Sequence, residues 1–438
     1  MTEATMHSSP VLKIALVTSG FLPVVDGVTV TVFNRLQQLS QQGHQVRVFC
    51  PDYSAIAAIY PHWQDDVGAI LPGVEVIPLP SEPFIGVAFE RNLARAALKP
   101  LQQALETFQP DVIHVDEPDR IFLGMLTAPG VAFAQQHNIP CTAFLHTNFI
   151  EYIEDFSPLP TWTLGSLQWG SQQIIHRVFN AYDRTLVANG VTETMARQMG
   201  IRNVRRGDFL GVDLDRYRPS DLAPDFFQTH YGLPAVDPQT KLIFLGRLTP
   251  DKGWKFALKA FAKLADSLNN VAILIAGDGE LQAEIQAGFQ QLGLNAYFLG
   301  RIAPAAVPPL LVNGDLHVTT STKETFGLTV LEAMAAGIPA IAPRAGGVVE
   351  TLRDGETGYL FTPGDEADFG QKLLRLIGQP DLRQALGQRG RAVAAQQSWE
   401  RAVGNLVEVW GGEGRGKRKE ERGEGRGKRK GEREEGSE

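Results

Sequence analysis

The feature that most constrains the fold is a repeated alternation of short apolar segments with longer stretches of helical periodicity. VLKIALVTSG (11–20) is a segment of the first kind, and a helical pattern from Val32 to Gln42, ending at Gly43, follows it. Buried strands that alternate with amphipathic helices are typical of β-α-β units around a parallel sheet. The chain is therefore predicted to be an α/β protein.

The alternation occurs in two series. The predicted strands are 11–20, 45–51, 111–118, 141–148 and 184–190 in the first series, and 241–248, 271–279, 296–302, 316–322 and 338–344 in the second. GVDLDRYRPSDLAPDFF (211–227), which is rich in Pro and Asp, separates them as a hinge would. Two Rossmann-like domains are expected, with ligands beyond the carboxyl ends of their strands.

These series give four predicted regions. An N-terminal Rossmann-like domain covers 11–207, a second covers 208–394, and 395–410 is a closing helix that returns to the first domain. Residues 411–438 contain the octapeptide GEGRGKRK twice and lack apolar periodicity, so they are expected to be disordered. The GKRK clusters suit RNA or anionic lipid, although the glutamates between them weaken that interpretation.

The charge distribution argues against a nucleic-acid-binding protein. The whole chain has a net charge of −8, and the tail contains ten basic and eight acidic residues, so the body is more acidic than the total suggests. A general nucleic-acid binder needs a basic face. Nucleic acid is therefore not an expected partner.

The sequence is typical of a cytoplasmic protein. Cys50 and Cys141 lie in apolar runs and are interpreted as core thiols in a reducing compartment. The N-terminal MTEATMHSSP lacks the charged-then-apolar design of a signal peptide. No stretch approaches the roughly 18 uninterrupted apolar residues of a membrane span. Membrane association, where it occurs, is expected to be peripheral and on the cytoplasmic face.

Polar and glycine residues collect where strands end. Arg247 closes a strand in LGRLTPDKG (245–253), and Lys252 precedes the next helix. Two cations at this edge suit a diphosphate, with Arg as a planar fork and Lys as a point charge; the alternative is a pair of solvated surface charges. The loop that contains Gly27 could bring its backbone close to an anion, or could be a plain strand–turn–helix connection.

Glu324 and Glu332 stand eight residues apart in STKETFGLTVLEAMAAG (321–337) and are predicted to share a helix face. A carboxylate can accept two hydrogen bonds from vicinal hydroxyls, as acidic residues do with ribose. Glu324 would meet sugar hydroxyls or a developing positive charge. The alternative, a helix N-terminal glutamate favoured by the dipole plus a surface glutamate, leaves Glu332 between Leu331 and Ala333 without a reason.

Taken together, these motifs resemble the retaining glycosyltransferases of family 4 (group 1), which have the GT-B fold. The resemblance covers most of residues 12–410. It rests on the E-x7-E spacing and on LSQQGHQVRVFCP (39–51), QPDVIHVDEP (109–118), FLHTNF (144–149), GVDLDRYRP (211–219), GRLTPDKG (246–253), AGDGEL (276–281) and GETGYLF (355–361). It implies two Rossmann-like domains whose parallel sheets face each other across a cleft.

The resemblance also implies roles for single residues. His146, Glu324, Arg247 and Lys252 would be catalytic. The donor-binding residues would be Gly27 at the phosphates and sugar carbon, Arg247 and Lys252 at the diphosphate, Arg301 and Ile302 at the base, Phe326, Gly327, Leu328 and Thr329 beside Glu324 at the sugar and phosphate, and Glu332 at the ribose. His146 would contact the transferred sugar.

No cofactor and no metal are expected. Asp213-Leu214-Asp215 imitates a metal-binding DxD but lies in the hinge, and the Gly277-x-Gly279 pair lacks the third glycine of a dinucleotide fingerprint. The implied reaction moves a hexosyl group from a UDP-sugar, in preference to a GDP-sugar, to a hydroxyl with retention of configuration. Electrostatic stabilisation of the leaving diphosphate and exclusion of water by domain closure would drive it.

The predicted acceptor is a membrane lipid such as diacylglycerol. EPFIGVAFERNLARAALKP (82–100) is interpreted as an apolar lead into a helix with Arg91, Arg95 and Lys99 in a basic stripe, which suits an anionic membrane; a solvated surface helix is the alternative. HTNFIEYIEDF (146–156) and FLPVVDGV (21–28) resemble members that glycosylate diacylglycerol, including sulfoquinovosyl diacylglycerol synthases. The alternatives are a polysaccharide or small-molecule acceptor, or, in another class, a nucleotide-sugar epimerase or dehydrogenase.

Overall fold

A computed structural model of the protein describes residues 10–84, 87–146 and 161–412. Within these ranges the chain forms two α/β lobes, each built on a parallel sheet, together with a small hairpin. We call the part built on the first sheet the first lobe and the part built on the second sheet the second lobe. The predicted pair of Rossmann-like domains is thereby confirmed.

The sheet of the first lobe has eight strands among the described residues. They are β1 (Lys13–Thr18), β2 (Gln45–Pro51), β3 (Gly68–Leu71), β4 (Val74–Leu79), β7 (Val112–Asp116), β8 (Cys141–Phe144), β9 (Arg184–Val187) and β10 (Val204–Arg206). Their spatial order is β10-β9-β8-β7-β1-β2-β4-β3, and every pair is parallel except β3 with β4. β5 (Ser81–Phe84) and β6 (Val87–Leu93) form the separate antiparallel hairpin.

The sheet of the second lobe has six strands, all parallel, in the described part of the chain. They are β11 (Thr240–Leu245), β12 (Val271–Ala276), β13 (Ala296–Gly300), β14 (Leu316–Val318), β15 (Ala340–Pro343) and β16 (Gly358–Phe361). The order β13-β12-β11-β14-β15-β16 places β11 and β14 side by side at the centre. The loops that follow these two strands are therefore neighbours at one edge of the sheet.

Helices cover both sheets. Those of the first lobe are Gly27–Gln41, Leu98–Phe108, Pro118–Met125, Val131–His137, Thr161–Phe179 and Gly190–Gln198. Those that follow are Phe226–Tyr231, Trp254–Ala262, Gln282–Gln291, Val307–Val312, Leu328–Ala336, Val348–Thr351, Glu366–Gly378, Pro380–Ala394 and Trp399–Gly412. None of the helices in the described ranges has the length and apolar character needed to cross a bilayer.

All ten predicted strands are present, but the first helix begins earlier than predicted. It starts at Gly27 rather than Val32 because Asp26 caps it: the Asp26 carboxylate accepts a hydrogen bond from the amide of Thr29 at 2.8 Å. Capping satisfies an amide that would otherwise have no partner in the first turn. The apolar pattern alone did not reveal this extra turn, since residues 27–31 alternate small, polar and β-branched side chains.

The prediction of a basic helical stripe within 82–100 is wrong. Arg91 lies on β6, where its guanidinium donates to the carbonyl oxygen of Ser81 on β5 at 2.7 Å. Arg95 is in a short 3-10 turn, and Lys99 is in the helix that begins at Leu98. Pairing with β5 outweighs local helical propensity in this segment, so the three cations do not share a helix face.

The final helix, Trp399–Gly412, packs on the first lobe, and we call it the return helix. Its Trp399, Val403 and Leu406 belong to the same buried apolar cluster as Leu16 of β1 and Val48 of β2. The amide of Val212, in the hinge segment, donates to the Gln397 carbonyl at 2.8 Å. The hinge segment and the residues just before the return helix, which both connect the two lobes, therefore run side by side. The limits of the four regions remain predictions, and the 413–438 tail and most of HTNFIEYIEDF lie outside the described residues.

We predict that Gly387→Ala destabilises the protein by about 1–3 kcal/mol, because the new methyl overpacks a close helix contact. Gly387 lies in helix Pro380–Ala394, and a Cβ there would stand 1.9 Å from the carbonyl oxygen of Gly337, at the end of helix Leu328–Ala336. Unfolding in urea measures the change. Gly404→Ala in the return helix is the matched control, since its Cβ would meet nothing within 4 Å, and helix propensity should make it neutral or stabilising. Equal effects of both substitutions would contradict the contact.

Candidate active site

The candidate active site lies where the two lobes meet at the carboxyl ends of their central strands. In the first lobe, Asp116 is the last residue of β7 and His146 follows β8 by two residues. In the second lobe, Arg247 follows β11 by two residues and Glu324 lies in the loop after β14. The sheet order brings β7 next to β8 and β11 next to β14. Four distant parts of the sequence therefore supply one cleft.

His146 is held by a carboxylate that the sequence analysis did not single out. Its Nε2 lies 2.5 Å from Oδ1 of Asp116, and both residues are buried. Burial alone would raise the pKa of Asp116, yet the charge of Arg35 and the neighbouring imidazoles lower that pKa well below its usual range. Asp116 is therefore ionised, and Nε2 of His146 must carry the hydrogen that joins the two groups.

Arg35 and His114 complete the surroundings of this carboxylate. Arg35 Nη1 donates to Asp116 Oδ1 at 2.9 Å and lies 3.4 Å from His114 Nε2. Burial lowers the pKa of His114, so this imidazole is neutral and accepts from Arg35 through Nε2. Its Nδ1 lies 2.8 Å from the hydroxyl of Thr142. The cluster thus contains one cation, one anion and two imidazoles.

The two cations predicted to hold a diphosphate both have acidic partners. Lys252 Nζ donates to Glu324 Oε1 at 2.7 Å. Arg247 Nη1 donates to Glu90 Oε1 at 3.2 Å, across the cleft on strand β6 of the hairpin. Glu90 is itself buried and also binds Arg120 at 2.7 Å. Both predicted phosphate ligands are thus directed at anionic oxygens, which is the chemistry that a diphosphate would present.

Thr325 joins the lobes next to Glu324. Its hydroxyl donates to the backbone carbonyl of His146 in a short contact. Its own carbonyl accepts from Asn189 Nδ2 at 2.6 Å and from the hydroxyl of Thr192 at 3.1 Å. The loop that presents Glu324 is consequently fixed against the loop that presents His146.

A second contact between the lobes uses the start of helix Gly190–Gln198. The Glu350 carboxylate of the second lobe accepts from the amides of Gly190 and Val191, at 3.0 and 2.8 Å. Anions at a helix N-terminus are favoured by its free amides and by the helix dipole. This contact is a structural use of a helix N-terminus.

Glu324 and Glu332 do not share a helix face, so that prediction is wrong. The helix begins only at Leu328, after Gly327 in a left-handed conformation with φ of 84°. Glu324 therefore lies in the preceding loop. Glu332 is inside the helix and partly buried, and it accepts a hydrogen bond from the hydroxyl of Tyr217, in the hinge segment. Burial raises the pKa of Glu332 to about 7, against the opposing effects of Tyr217 and Arg216.

The other predicted donor-binding residues lie around these groups. Gly27 opens the first helix, and the space at its Cβ position is free for 4 Å. Arg301 binds Asp278 at 2.8 Å and stacks 5.2 Å above the ring of Tyr60 from the first lobe. Three others pack against apolar cores: Ile302 against that of the second lobe, Leu328 against that of the first lobe, and Phe326 against both. The Thr329 hydroxyl lies 3.2 Å from Nε2 of His317.

The DxD sequence in the hinge has a local structural role. Asp213 caps the short turn Leu214–Arg216, and its carboxylate accepts from the amide of Asp215 at 3.2 Å. No cluster of three or more potential metal-ligating side chains occurs among the described residues. The expectation that no metal takes part remains a prediction.

Several residues of the site were missed by the sequence analysis: Arg35, Glu90, Asp116, Asn189, Tyr217 and Glu350. A signal existed for Arg35, which follows Val28 and Val32 at helical spacing and precedes Leu39, so it is a charge in an apolar stripe. Asp116 stands at a strand end, where functional side chains are expected. The partners from distant segments, such as Glu90 and Glu350, gave no local signal.

We predict that Glu332 makes the stability of the protein fall as pH rises from about 4.5 to about 7. Folding raises the pKa of this carboxyl from 4.5 to about 7, so in that interval the native state binds more protons than the unfolded state. Glu332→Gln removes this titration and should reduce the loss of unfolding free energy across the interval by about 1–3 kcal/mol. Urea unfolding at a series of pH values measures it.

Glu106→Gln is the matched control, because Glu106 is an exposed carboxyl on helix Leu98–Phe108. It should leave the pH dependence of the parent unchanged. If Glu332→Gln and Glu106→Gln give the same slope as the parent, burial of Glu332 has no linked effect and the predicted direction is wrong.

The arrangement of the two lobes matches that of known glycosyltransferases. Residues 25–206 match the family model described as Glycosyltransferase Family 4, and residues 228–393 match the model described as Glycosyl transferases group 1. Among solved structures, HepE of Anabaena in complex with UDP and glucose superposes with a TM-score of 0.68 at 21% identity, over 91% of this chain and 99% of that one. The GT-B fold predicted from the sequence is thereby confirmed.

Curated relatives have several glycosyl-transfer activities. The chain is 28% identical to Sulfoquinovosyl transferase SQD2 of Arabidopsis thaliana, over 68% of this chain and 55% of that protein. It is 25% identical to the Alpha-monoglucosyldiacylglycerol synthase of Streptococcus pneumoniae, over 85% and 80%. It is 28% identical to the GDP-mannose-dependent alpha-mannosyltransferase of Mycolicibacterium smegmatis, over 90% and 96%.

The two family models together account for both lobes, with the hinge segment between them. His146, Arg247, Lys252 and Glu324 lie where these lobes meet. A glycosyltransferase requires a nucleotide-sugar donor and a hydroxyl acceptor. The chain belongs to the group 1, family 4 glycosyltransferases of the GT-B fold.

Proposed function

We propose that the protein is a retaining glycosyltransferase that moves a hexosyl group from a UDP-sugar to a hydroxyl of a membrane lipid such as diacylglycerol. The observation that carries this proposal is the pair Arg247 and Lys252 at the carboxyl edge of the second sheet. Each already donates to a carboxylate, Glu90 or Glu324. A diphosphate offers the same kind of oxygen with more charge, and it would exchange partners with these groups rather than meet bare cations.

Retention follows from the position proposed for the donor. The diphosphate would lie against Arg247 and Lys252, and the transferred sugar between Glu324 and His146. The two cations would stabilise charge on the departing oxygen, and Glu324 would lie near the positive charge that develops on the sugar ring. The acceptor hydroxyl would then attack from the face that the diphosphate leaves, while the Thr325 contact between the lobes excludes water.

The proposed donor site extends along the second lobe toward the base and the ribose. Glu332 would accept from the ribose hydroxyls, and Arg301 with Ile302 would receive the base. The donor base is proposed to be uracil because HepE, a neighbour of the same fold, is in complex with UDP and glucose. A GDP-sugar is the second candidate, since another relative is named as GDP-mannose-dependent.

The lipid acceptor is supported by a relative and by a surface. The relative is the Alpha-monoglucosyldiacylglycerol synthase at 25% identity. The surface consists of Leu123, Leu126 and Ile174, which are 41%, 60% and 44% exposed on or just after helices Pro118–Met125 and Thr161–Phe179. The two helices pack against each other, and large exposed apolar side chains on neighbouring helices suit contact with a membrane. We propose this surface as the membrane contact instead of the basic helical stripe predicted within 82–100, because the described residues of that segment do not form such a stripe.

The two alternative functions differ in how well they are supported. A polysaccharide or small-molecule acceptor is the second candidate, because the same fold and site would serve any hydroxyl. The nucleotide-sugar epimerase or dehydrogenase is set aside, since the chain belongs to a glycosyltransferase family.

We predict that Arg247→Ala and Lys252→Ala each weaken the binding of UDP roughly 10- to 100-fold, because a hydrogen bond to a charged group contributes about 1.5–3 kcal/mol. Calorimetric titration with UDP and with GDP measures this and decides between the two bases. Release of the nucleoside diphosphate from UDP- and GDP-sugars, with and without diacylglycerol vesicles, then measures turnover.

The control is Arg383→Ala. Arg383 is a partly buried cation of the same lobe, and it donates to the carbonyls of Leu376 and Ile377 and lies 3.7 Å from Asp315, which precedes β14 at the opposite edge of the sheet. It should bind UDP as the parent does. If the Arg247 and Lys252 variants also bind and turn over donor like the parent, the proposed diphosphate site is wrong.

We predict that Leu126→Glu lowers the vesicle-dependent rate severalfold without changing UDP affinity, because it places a charge on the apolar surface proposed to meet the bilayer. Initial rates with diacylglycerol vesicles, and sedimentation of the protein with those vesicles, give the measurement.

Leu222→Glu provides a matched control, since Leu222 is 66% exposed but belongs to the hinge segment. It should bind vesicles and react as the parent does. Equal loss in both variants, or none in Leu126→Glu, would rule out this surface as the membrane contact.

A further inference from the structure

Arg35 is a charged residue in a position that the fold makes apolar. It lies on helix Gly27–Gln41 among Val28, Val32 and Leu39, all of them buried against the first sheet. Its own exposed fraction is 0%. Burying a guanidinium is unfavourable unless other groups compensate for its lost hydration. An apolar residue would suit this position better if packing were the only requirement.

The contacts of Arg35 are few for a buried cation. Nη1 binds Asp116, and the guanidinium stacks 4.4 Å above the ring of Phe144. In the part of the chain that the structure describes, Arg35 Nε, Arg35 Nη2 and Asp116 Oδ2 are buried and have no hydrogen-bond partner. The pair is therefore not a saturated structural ion pair. What it does achieve is to place one positive charge beside one particular carboxylate oxygen.

That oxygen is the one that holds His146. Asp116 Oδ1 is 2.9 Å from Arg35 Nη1 and 2.5 Å from His146 Nε2. The hydrogen-bond partners of the buried Arg35 guanidinium are Asp116 and His114, so Arg35 reaches His146 through Asp116. The carboxylate alone would draw a second proton onto the imidazole, because a buried anion favours a neighbouring cation. With Arg35 present the charge of Asp116 is already balanced.

We propose that Arg35 is a positioning residue that keeps His146 a neutral imidazole, with its Nε2–H directed at Asp116 and its Nδ1 lone pair left to accept a hydrogen bond from substrate. The inference rests on the proposed function, in which His146 contacts the transferred sugar. A sugar hydroxyl can donate to a neutral imidazole nitrogen but not to an imidazolium. Arg35 would thus determine which groups of the substrate His146 can bind.

The other groups around His146 do not replace Arg35. His114 lies 3.6 Å from the same Asp116 oxygen but is neutral and bound to Thr142. On the second lobe, the uncharged Thr325 hydroxyl donates to the His146 backbone carbonyl, and the carboxylate of the adjacent Glu324 is bound to Lys252. Arg35 is therefore the cation in direct contact with the Asp116 carboxylate.

The test is a titration of His146 in the full-length protein. Histidine labelled with ¹³C reports the protonation of each imidazole, and the signal of His146 is assigned by its loss in His146→Asn. In Arg35→Met the Asp116–His146 pair should take up a proton about one pH unit or more above the parent, which is the size of shift that a lost neighbouring charge produces. Asp116→Asn, which keeps Arg35 and removes the carboxylate, should shift the His146 midpoint below that of the parent.

Arg383→Met controls for the loss of a partly buried arginine elsewhere and should leave the His146 midpoint unchanged. If Arg35→Met does not fold, the double variant Arg35→Met/Asp116→Asn removes both charges, and its His146 midpoint should lie above that of Asp116→Asn, because the Arg35 cation no longer opposes protonation of the imidazole. A His146 midpoint that stays at the parent value in Arg35→Met overturns the proposal. When that variant is unfolded, a double variant whose His146 midpoint equals that of Asp116→Asn overturns it.

Activity gives a second reading. The acid limb of the pH profile of kcat/KM should move to higher pH in Arg35→Met by the same amount as the His146 midpoint, whereas a purely structural loss lowers the rate at every pH alike. The imidazole titration requires no sugar transfer. If the parent transfers no sugar, the proposed function fails while the midpoints still decide the role of Arg35.

Discussion

The site depends on one contact between the lobes, that of Thr325. Its side chain and its carbonyl are both bound by the first lobe, at His146 and at Asn189 with Thr192. A Cβ on the neighbouring Gly347 would stand 2.0 Å from the Thr325 carbonyl oxygen, so only glycine permits this approach. Glu324 and Lys252 are fixed relative to His146 because Thr325 is fixed. The candidate site residues of the two lobes are therefore held together at the place where the lobes meet.

A common principle governs the cations at this interface: each has an acidic partner before substrate arrives. Lys252 is bound to Glu324, Arg247 to Glu90, Arg301 to Asp278 and Arg35 to Asp116. Unpaired buried charges are strongly unfavourable, whereas exchange of one anionic partner for another changes the desolvation cost little. In the proposed function, a diphosphate would enter a protein of net charge −8 by taking over existing ion pairs. Arg35 differs from the others, since it faces the core and its partner is not exchanged.

The sequence allowed the sheets and the general location of the site to be predicted, because these follow from local patterns. Each of the ten strands is a short apolar run in the sequence. The cations after β11 and the acidic loop after β14 are the polar residues at which two of these runs end. The hairpin β5–β6 was mistaken for a helix, since pairing between strands is not recorded in either strand alone. The prediction that Glu324 and Glu332 share a helix face was wrong, because Gly327 takes a left-handed conformation and the helix begins only after it. The roles of Asp116, Arg35 and Glu90 could not be predicted, because each depends on partners that are far away in the sequence.

The return helix has a consequence for how the protein is made. Its Trp410 donates from the indole nitrogen to the hydroxyl of Thr142 at 3.2 Å, and its ring lies 5.2 Å from that of His114. The indole thus covers Thr142 and His114, which lie beside Arg35 and Asp116. During translation, an N-terminal unit usually folds as soon as it emerges. Here the first sheet leaves the ribosome long before Trp410 exists, and its buried ionic cluster stays uncovered on one side until the second lobe has been synthesised.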